Sequence, residues 1–234
     1  MAIHAVNRRG FLAAAAGACA CALPAQAREP VSTALVLAAD VSTSIDDERF
    51  ALQRRGYAAA LADPRVIRAI QDSALGCIGL CYFEWAGGTS QRLLVPWTEV
   101  RGAADGARIA QALLRAPRPF EGSTGIGGAI RFAADLLADA PFAAGEQVVD
   151  ISGDGLPTDD DEAPDAARDH AVAQGIRVNA LAIDDGYPRF PGQPSLPDYY
   201  AAHVTGGPRA FVVAADGFES FGAALVAKLR REIS

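Results

Sequence analysis

Residues 34–44, ALVLAADVSTS, constrain the fold more than any other stretch of the chain. Leu35, Val36 and Leu37 form a short apolar run that stops at an acidic residue, Asp40. Such a run reads as a strand buried on both faces, which needs cover above and below its sheet. Asp40 then sets a carboxylate at the carboxyl end of a strand, the edge along which open α/β sheets bind ligands. Ser42 and Ser44 follow at alternate positions, so Asp-x-Ser-x-Ser offers three hard oxygens within one tight turn. Donors of that kind suit a small divalent cation with octahedral geometry.

The rest of the chain alternates strand and helix patterns. Residues 46–62 read as a helix with Phe50, Tyr57 and Leu61 on one face. Ser44, three residues before Asp47, resembles a capping box, a structural role that competes with metal ligation. Pro64 ends the helix, and Val66, Ile67 and Ile70 suggest a further short helical stretch. Residues 75–85 form a strand pattern that a Gly87-Gly88 turn joins to residues 91–96, an antiparallel hairpin. Helical patterns follow at 103–115, at 126–137 after a glycine-rich loop, at 158–174 and at 217–231, with a short one at 198–203. Strand patterns occupy 147–152, 176–183 and 210–214. The loop 184–197 contains Pro188, Pro191, Pro194 and Pro197 and reads as a surface connection. This order predicts one α/β domain over residues 28–234: three layers, doubly wound, with a mostly parallel sheet and one antiparallel edge strand.

Residues 1–27 read as a twin-arginine export signal. Asn7-Arg8-Arg9-Gly10-Phe11-Leu12 precedes an alanine-rich apolar run, and Ala25 and Ala27 supply the small residues of a cleavage site after Ala27. The predicted location is therefore periplasmic or secreted. The apolar run is short for a membrane span, and no second run of that length follows. Cleavage removes two arginines and no acid, so the formal charge moves from −7 to −9. A chain that acidic lacks the basic face a nucleic acid would need. Cys77 and Cys81 remain after cleavage, about 13 Å apart if both lie on one strand, too far for a disulfide, so they read as buried free thiols.

Three turns gather the chemistry: Asp40-x-Ser42-x-Ser44, Gly122-Ser123-Thr124-Gly125 and Ser152-Gly153-Asp154-Gly155. In a parallel sheet the carboxyl ends of strands share one rim, where these turns converge. The set resembles the metal-ion-dependent adhesion site (MIDAS) of von Willebrand factor type A (vWA) domains, with Asp40, Ser42 and Ser44 matching its first loop, Thr124 its second and Asp154 its third. The resemblance spans nearly all of residues 28–234. Val41 stands where many members have glycine. The chain is also similar to an uncharacterised family of exported bacterial proteins in which motifs like 82–87, YFEWAG, and 152–155, SGDG, recur. The resemblance implies a vWA or Rossmann-like fold and a Mg²⁺ or Mn²⁺ ion held by Asp40, Ser42, Ser44, Thr124 and Asp154. It implies a non-enzymatic module whose ion bridges to an Asp or Glu of a protein or peptide partner. A metal-dependent hydrolase and an assembly subunit of an envelope complex are the alternatives. The sequence carries no Gly-x-Ser-x-Gly elbow, P-loop or dinucleotide fingerprint. Asp159-Asp160-Asp161-Glu162 lacks the pattern of a calcium loop and suits the first turn of a helix. Asp150, inside a strand, reads as a carboxylate behind the site or facing a polar crevice.

Overall fold

The computed structural model describes residues 28–158, 162–184, 192 and 194–233. The leader 1–27 and Asp159, Asp160 and Asp161 lie outside the described residues, as does most of the proline-rich loop. The strands are β1 (Glu29–Asp40), β2 (Ile78–Trp85), β3 (Gln91–Val100), β4 (Phe142–Gly153), β5 (Arg177–Asp184) and β6 (Val212–Asp216). The helices are α1 (Asp47–Ala62), α2 (Pro64–Gln71), α3 (Ala103–Arg115), α4 (Ile126–Ala138), α5 (Pro164–Ala173), α6 (Leu196–Tyr199) and α7 (Gly217–Ile233). A π-helical turn, Tyr200–Val204, continues α6.

The six strands form one sheet in the order β3-β2-β1-β4-β5-β6. Among the named strands of the described residues the β2–β3 hairpin alone is antiparallel, as the Gly87-Gly88 link predicts; the other strand pairs are parallel. Alternate side chains of β1 divide between two cores. Leu35, Leu37 and Ala39 pack with Ile45, Tyr57, Ile109, Phe221 and Leu225 from the α1, α3 and α7 side. Ala34, Val36 and Ala38 pack with Ile130, Leu137 and Ala171 from α4 and α5. That division is why the run is apolar throughout instead of alternating.

The strands run longer than their apolar cores, because β1 and β4 pair from Glu29↔Phe142 onward through residues of mixed polarity. One helix starts later than the pattern implies. Helix α5 begins at Pro164, not Thr158, since proline suits a first helical turn and holds Ala163 extended (φ −65°, ψ 132°). Cys77 and Cys81 are both buried and unpaired. Among the described residues no helix is long and apolar enough to cross a membrane.

Asp150 faces a buried polar cluster. It meets Lys228 Nζ of α7 at 2.6 Å, and Lys228 also meets Glu232 at 2.5 Å, all without solvent exposure. Asn179 of β5 donates to Glu232 (2.9 Å), and an Arg177 guanidinium N–H donates to the Glu232 carbonyl (3.3 Å). Two acids thus share one ammonium inside the domain and tie α7 to the middle of the sheet. Burial, then the charge of Asp150, pushes the Glu232 carboxyl up to about 8, against the pull of Lys228. Folding therefore favours the protonated acid. Its stabilising effect is complete below the ordinary value of 4.5 and is lost as the pH rises through about 8. Glu232→Gln keeps an acceptor for Asn179 and removes that titration. Urea unfolding between about pH 5 and pH 8 should show a flatter fall in stability than wild type; an unchanged slope would place the proton elsewhere.

Candidate metal centre

The chain leaves β1 toward β2 and β3 on one side and returns to β4 on the other, so the strand order reverses between β1 and β4. Such a switch point opens a crevice at the carboxyl ends of the two strands. Asp40 ends β1 and Asp154 follows β4 directly. The register Ala39↔Ser152 sets Asp40 beside Gly153. A β-carbon at residue 153 would lie 2.4 Å from the Tyr200 hydroxyl and 3.0 Å from Asp40 Oδ2, so only glycine fits.

Asp40 is completely buried. Its Oδ1 accepts a hydrogen bond from Ser42 N (2.8 Å), and its carbonyl accepts one from Gln53 Nε2 (2.7 Å). Its Oδ2 is buried and has no hydrogen-bond partner. Ser42 Oγ lies 3.1 Å from Ser44 Oγ, and Ser44 Oγ donates to Asp154 Oδ1 at 2.7 Å. Four of the five predicted residues are therefore joined through one short polar chain. Ser44 does not cap α1: Asp46 does, its carboxylate accepting from Arg49 N at 2.9 Å. The cap moves because Asp46 directly precedes the helix, which leaves the Ser44 hydroxyl to Asp154.

Thr124, the fifth residue, is buried on the neighbouring loop. Thr43 N and Oγ1 both donate to the Gly122 carbonyl (2.9 and 3.0 Å), and Gly125 N donates to Ala86 O (2.8 Å) just past β2. A β-carbon on Gly125 would stand 2.3 Å from Gly88 N, which is how the glycine-rich loop approaches the end of the hairpin. Thr158 fixes Thr124 from the far side: Thr124 N donates to Thr158 Oγ1 (2.9 Å) and Thr158 N donates to Thr124 O (3.0 Å).

Sequence reasoning missed several supporting residues. Thr158 reads as a helix start unless the proline six residues on is given weight. Arg118 lies between two prolines and reads only as part of a helix break. In the structure it donates to the carbonyls of Val41 (3.0 Å), Ser42 (3.2 Å) and Ile45 (2.7 Å), holding the first loop from beneath. Arg54 makes a buried two-pronged pair with Glu84 (2.7 and 2.9 Å) and donates to the carbonyls of Leu113, Ala116 and Pro117. It thereby anchors the segment that delivers Arg118. Tyr200 is fully buried, and its hydroxyl donates to Gly155 O at 3.2 Å.

Two carboxylates in so dry a place repel each other. Burial and then the charge of Asp154 push the Asp40 carboxyl up to about 8, while the Ser42 hydrogen bonds and Arg118 act the other way. Burial, followed by Asp40 and Asp154, also pushes the Tyr200 phenol well above its usual range. Among the described residues no group of three or more His, Cys, Asp or Glu could hold a metal. The donors joined here are two carboxylates and two hydroxyls, with Thr124 buried on the adjoining loop, and hard oxygens of this kind suit Mg²⁺ or Mn²⁺ rather than a softer ion.

These features define a vWA-like domain with the polar turns of its sheet-end rim brought together. Residues 30–234 match the family described as "Protein of unknown function (DUF1194)", and the chain belongs to that family. No curated protein matches the sequence. Among solved structures, the von Willebrand factor type A protein from Catenulispora acidiphila aligns with a TM-score of 0.56 and 17% identity, over 87% of this chain and 42% of that one. The pilus adhesin SpaC from Lactobacillus rhamnosus GG aligns with a TM-score of 0.61 and 18% identity over 88% of this chain. This chain spans 31% of SpaC. Proximal thread matrix protein 1 from the mussel byssus, with a zinc-occupied MIDAS motif, aligns with a TM-score of 0.57 and 13% identity, over 88% and 47% of the two chains. At these identities the likeness is one of fold.

Glu84→Ala would leave the Arg54 guanidinium buried without its carboxylate. Guanidinium unfolding should show a loss of about 3–5 kcal/mol, and a loss below about 1 kcal/mol would mean that Arg54 finds another partner or water.

Proposed function

We propose that this chain is an exported, metal-dependent protein-binding module. Asp40, Ser42, Ser44, Thr124 and Asp154 would hold Mg²⁺ or Mn²⁺, with the two carboxylates bound directly or through water. The observation that carries the reading is Asp40 Oδ2, a buried carboxylate oxygen with no partner beside a second carboxylate. A buried polar group left unsatisfied is costly, and a cation at this rim would meet both needs. The ion would supply an electrophilic position at which a carboxylate from a partner can replace water. The chain's own part is to fix the oxygens: Arg118 holds the first loop, Thr158 the second, and Ser44 links the first to the third.

Binding rather than hydrolysis fits the surroundings. His170 is engaged with Gln174, and His203 stacks on Tyr199 at 4.6 Å. Cys81 lies in the apolar core, where burial pushes its thiol up. Each of these groups is engaged in a local contact of its own. A pilus adhesin and a thread matrix protein among the fold neighbours fit a binding role. A twin-arginine leader over residues 1–27 would deliver the domain outside the cytoplasm.

Calorimetric titration of the EDTA-stripped domain should show one Mg²⁺ or Mn²⁺ bound per chain. Asp40→Ala should abolish that binding while the far-UV spectrum of the fold persists. Pull-down of a partner from periplasmic extract should need the ion and vanish in EDTA. A domain that binds neither cation would overturn the reading.

A further inference from the structure

Tyr200 lies outside the three turns that make up the candidate site, yet its hydroxyl stands among them. Its ring is fixed in the apolar layer with Leu196, Val204, Ala180, Ala182 and Ile151. Its hydroxyl donates to the carbonyl of Gly155, one residue past Asp154. The point where residue 153 would carry a β-carbon is 2.4 Å from that hydroxyl and 3.0 Å from Asp40 Oδ2, and the next atom met is Asp40 Cβ at 3.6 Å. The hydroxyl therefore sits over Gly153, between the turn that carries Asp154 and the unpartnered oxygen of Asp40. The residue is delivered by the π-helical turn Tyr200–Val204, closed by Thr205 N donating to Tyr200 O at 2.9 Å. Turns of that kind recur at functional sites because they redirect a side chain within a helix.

We propose that Tyr200 is a positioning residue of the metal centre: its hydroxyl fixes the Gly153–Gly155 turn so that the Asp154 and Asp40 carboxylates face one cation. This inference rests on the metal-binding reading above. It adds a fourth chain segment, the one between β5 and β6, to the three that supply ligands. It also gives Gly153 a reason: a side chain there would displace the hydroxyl. Outer partners that orient ligands without touching the metal commonly change affinity by about 10–100-fold when removed.

Tyr200→Phe keeps the buried ring and removes only the hydroxyl. Calorimetry with Mg²⁺ and Mn²⁺ should show affinity about 10–100-fold weaker than wild type. Melting in EDTA should fall by no more than a few degrees, so the rise on adding Mg²⁺ shrinks. Gly153→Ala should weaken binding as well, since its β-carbon would meet both that hydroxyl and Asp40 Oδ2. If wild type binds the cations and Tyr200→Phe binds within threefold of it, the inference is wrong and the metal reading stands. If wild type itself binds neither cation, the metal reading fails and this inference goes with it.

Discussion

The interior carboxylate of Asp40 is the constraint on which the site depends. It ends a strand with no solvent exposure, one oxygen occupied by a backbone N–H and the other unpaired, with Asp154 close enough to raise its proton affinity. An arrangement like this is costly unless a proton or a cation is present, and the surrounding structure is built to keep it. Gln53 grips the strand end through its carbonyl, and Arg118 collects three carbonyls of the following turn. Neither contact neutralises the free oxygen. The fold holds a buried carboxyl group in place with one oxygen unpartnered.

The two faces of the sheet do different work. On the α1, α3 and α7 side lie the buried charges that pair internally: Arg54 with Glu84, and Lys228 between Asp150 and Glu232. Pairs of this kind add little net stability over apolar packing, and their visible role is to fix how elements sit on the sheet. Arg54 reaches the carbonyls at the end of α3, and that segment leads to Arg118. On the other face an apolar layer carries α4, and Gly125 and Gly128 let its start press against the hairpin. The rim lies where both faces end.

The large features could be read from residues. The evenly apolar run in β1 announces a strand covered on both sides, and the Gly87-Gly88 turn announces the hairpin. The oxygen-bearing turns follow from their place at strand ends. What could not be read depends on long-range geometry. Arg118 looks like loop punctuation until its guanidinium is seen against the carbonyls of residues 41–45. Tyr200 looks like one more aromatic residue of a short helix, because nothing local says that its hydroxyl reaches Gly155. Ser44 had two readings, cap or rim donor, and the choice turned on Asp46 lying one step nearer the helix. Asp150 also had two readings, because its partner, Lys228, comes from the last helix.

The Ser44–Asp154 hydrogen bond joins positions 110 residues apart. Its two ends meet only because β1 and β4 lie side by side in parallel, and a parallel pair cannot close through a short turn. No fragment of the sequence contains the rim. A peptide bearing residues 34–44 would carry three of the oxygens without the charge that opposes them or the carbonyl clamp that aims them. The set of oxygens exists only once the sheet has closed, so completed folding is a precondition for any ligand that needs all of them.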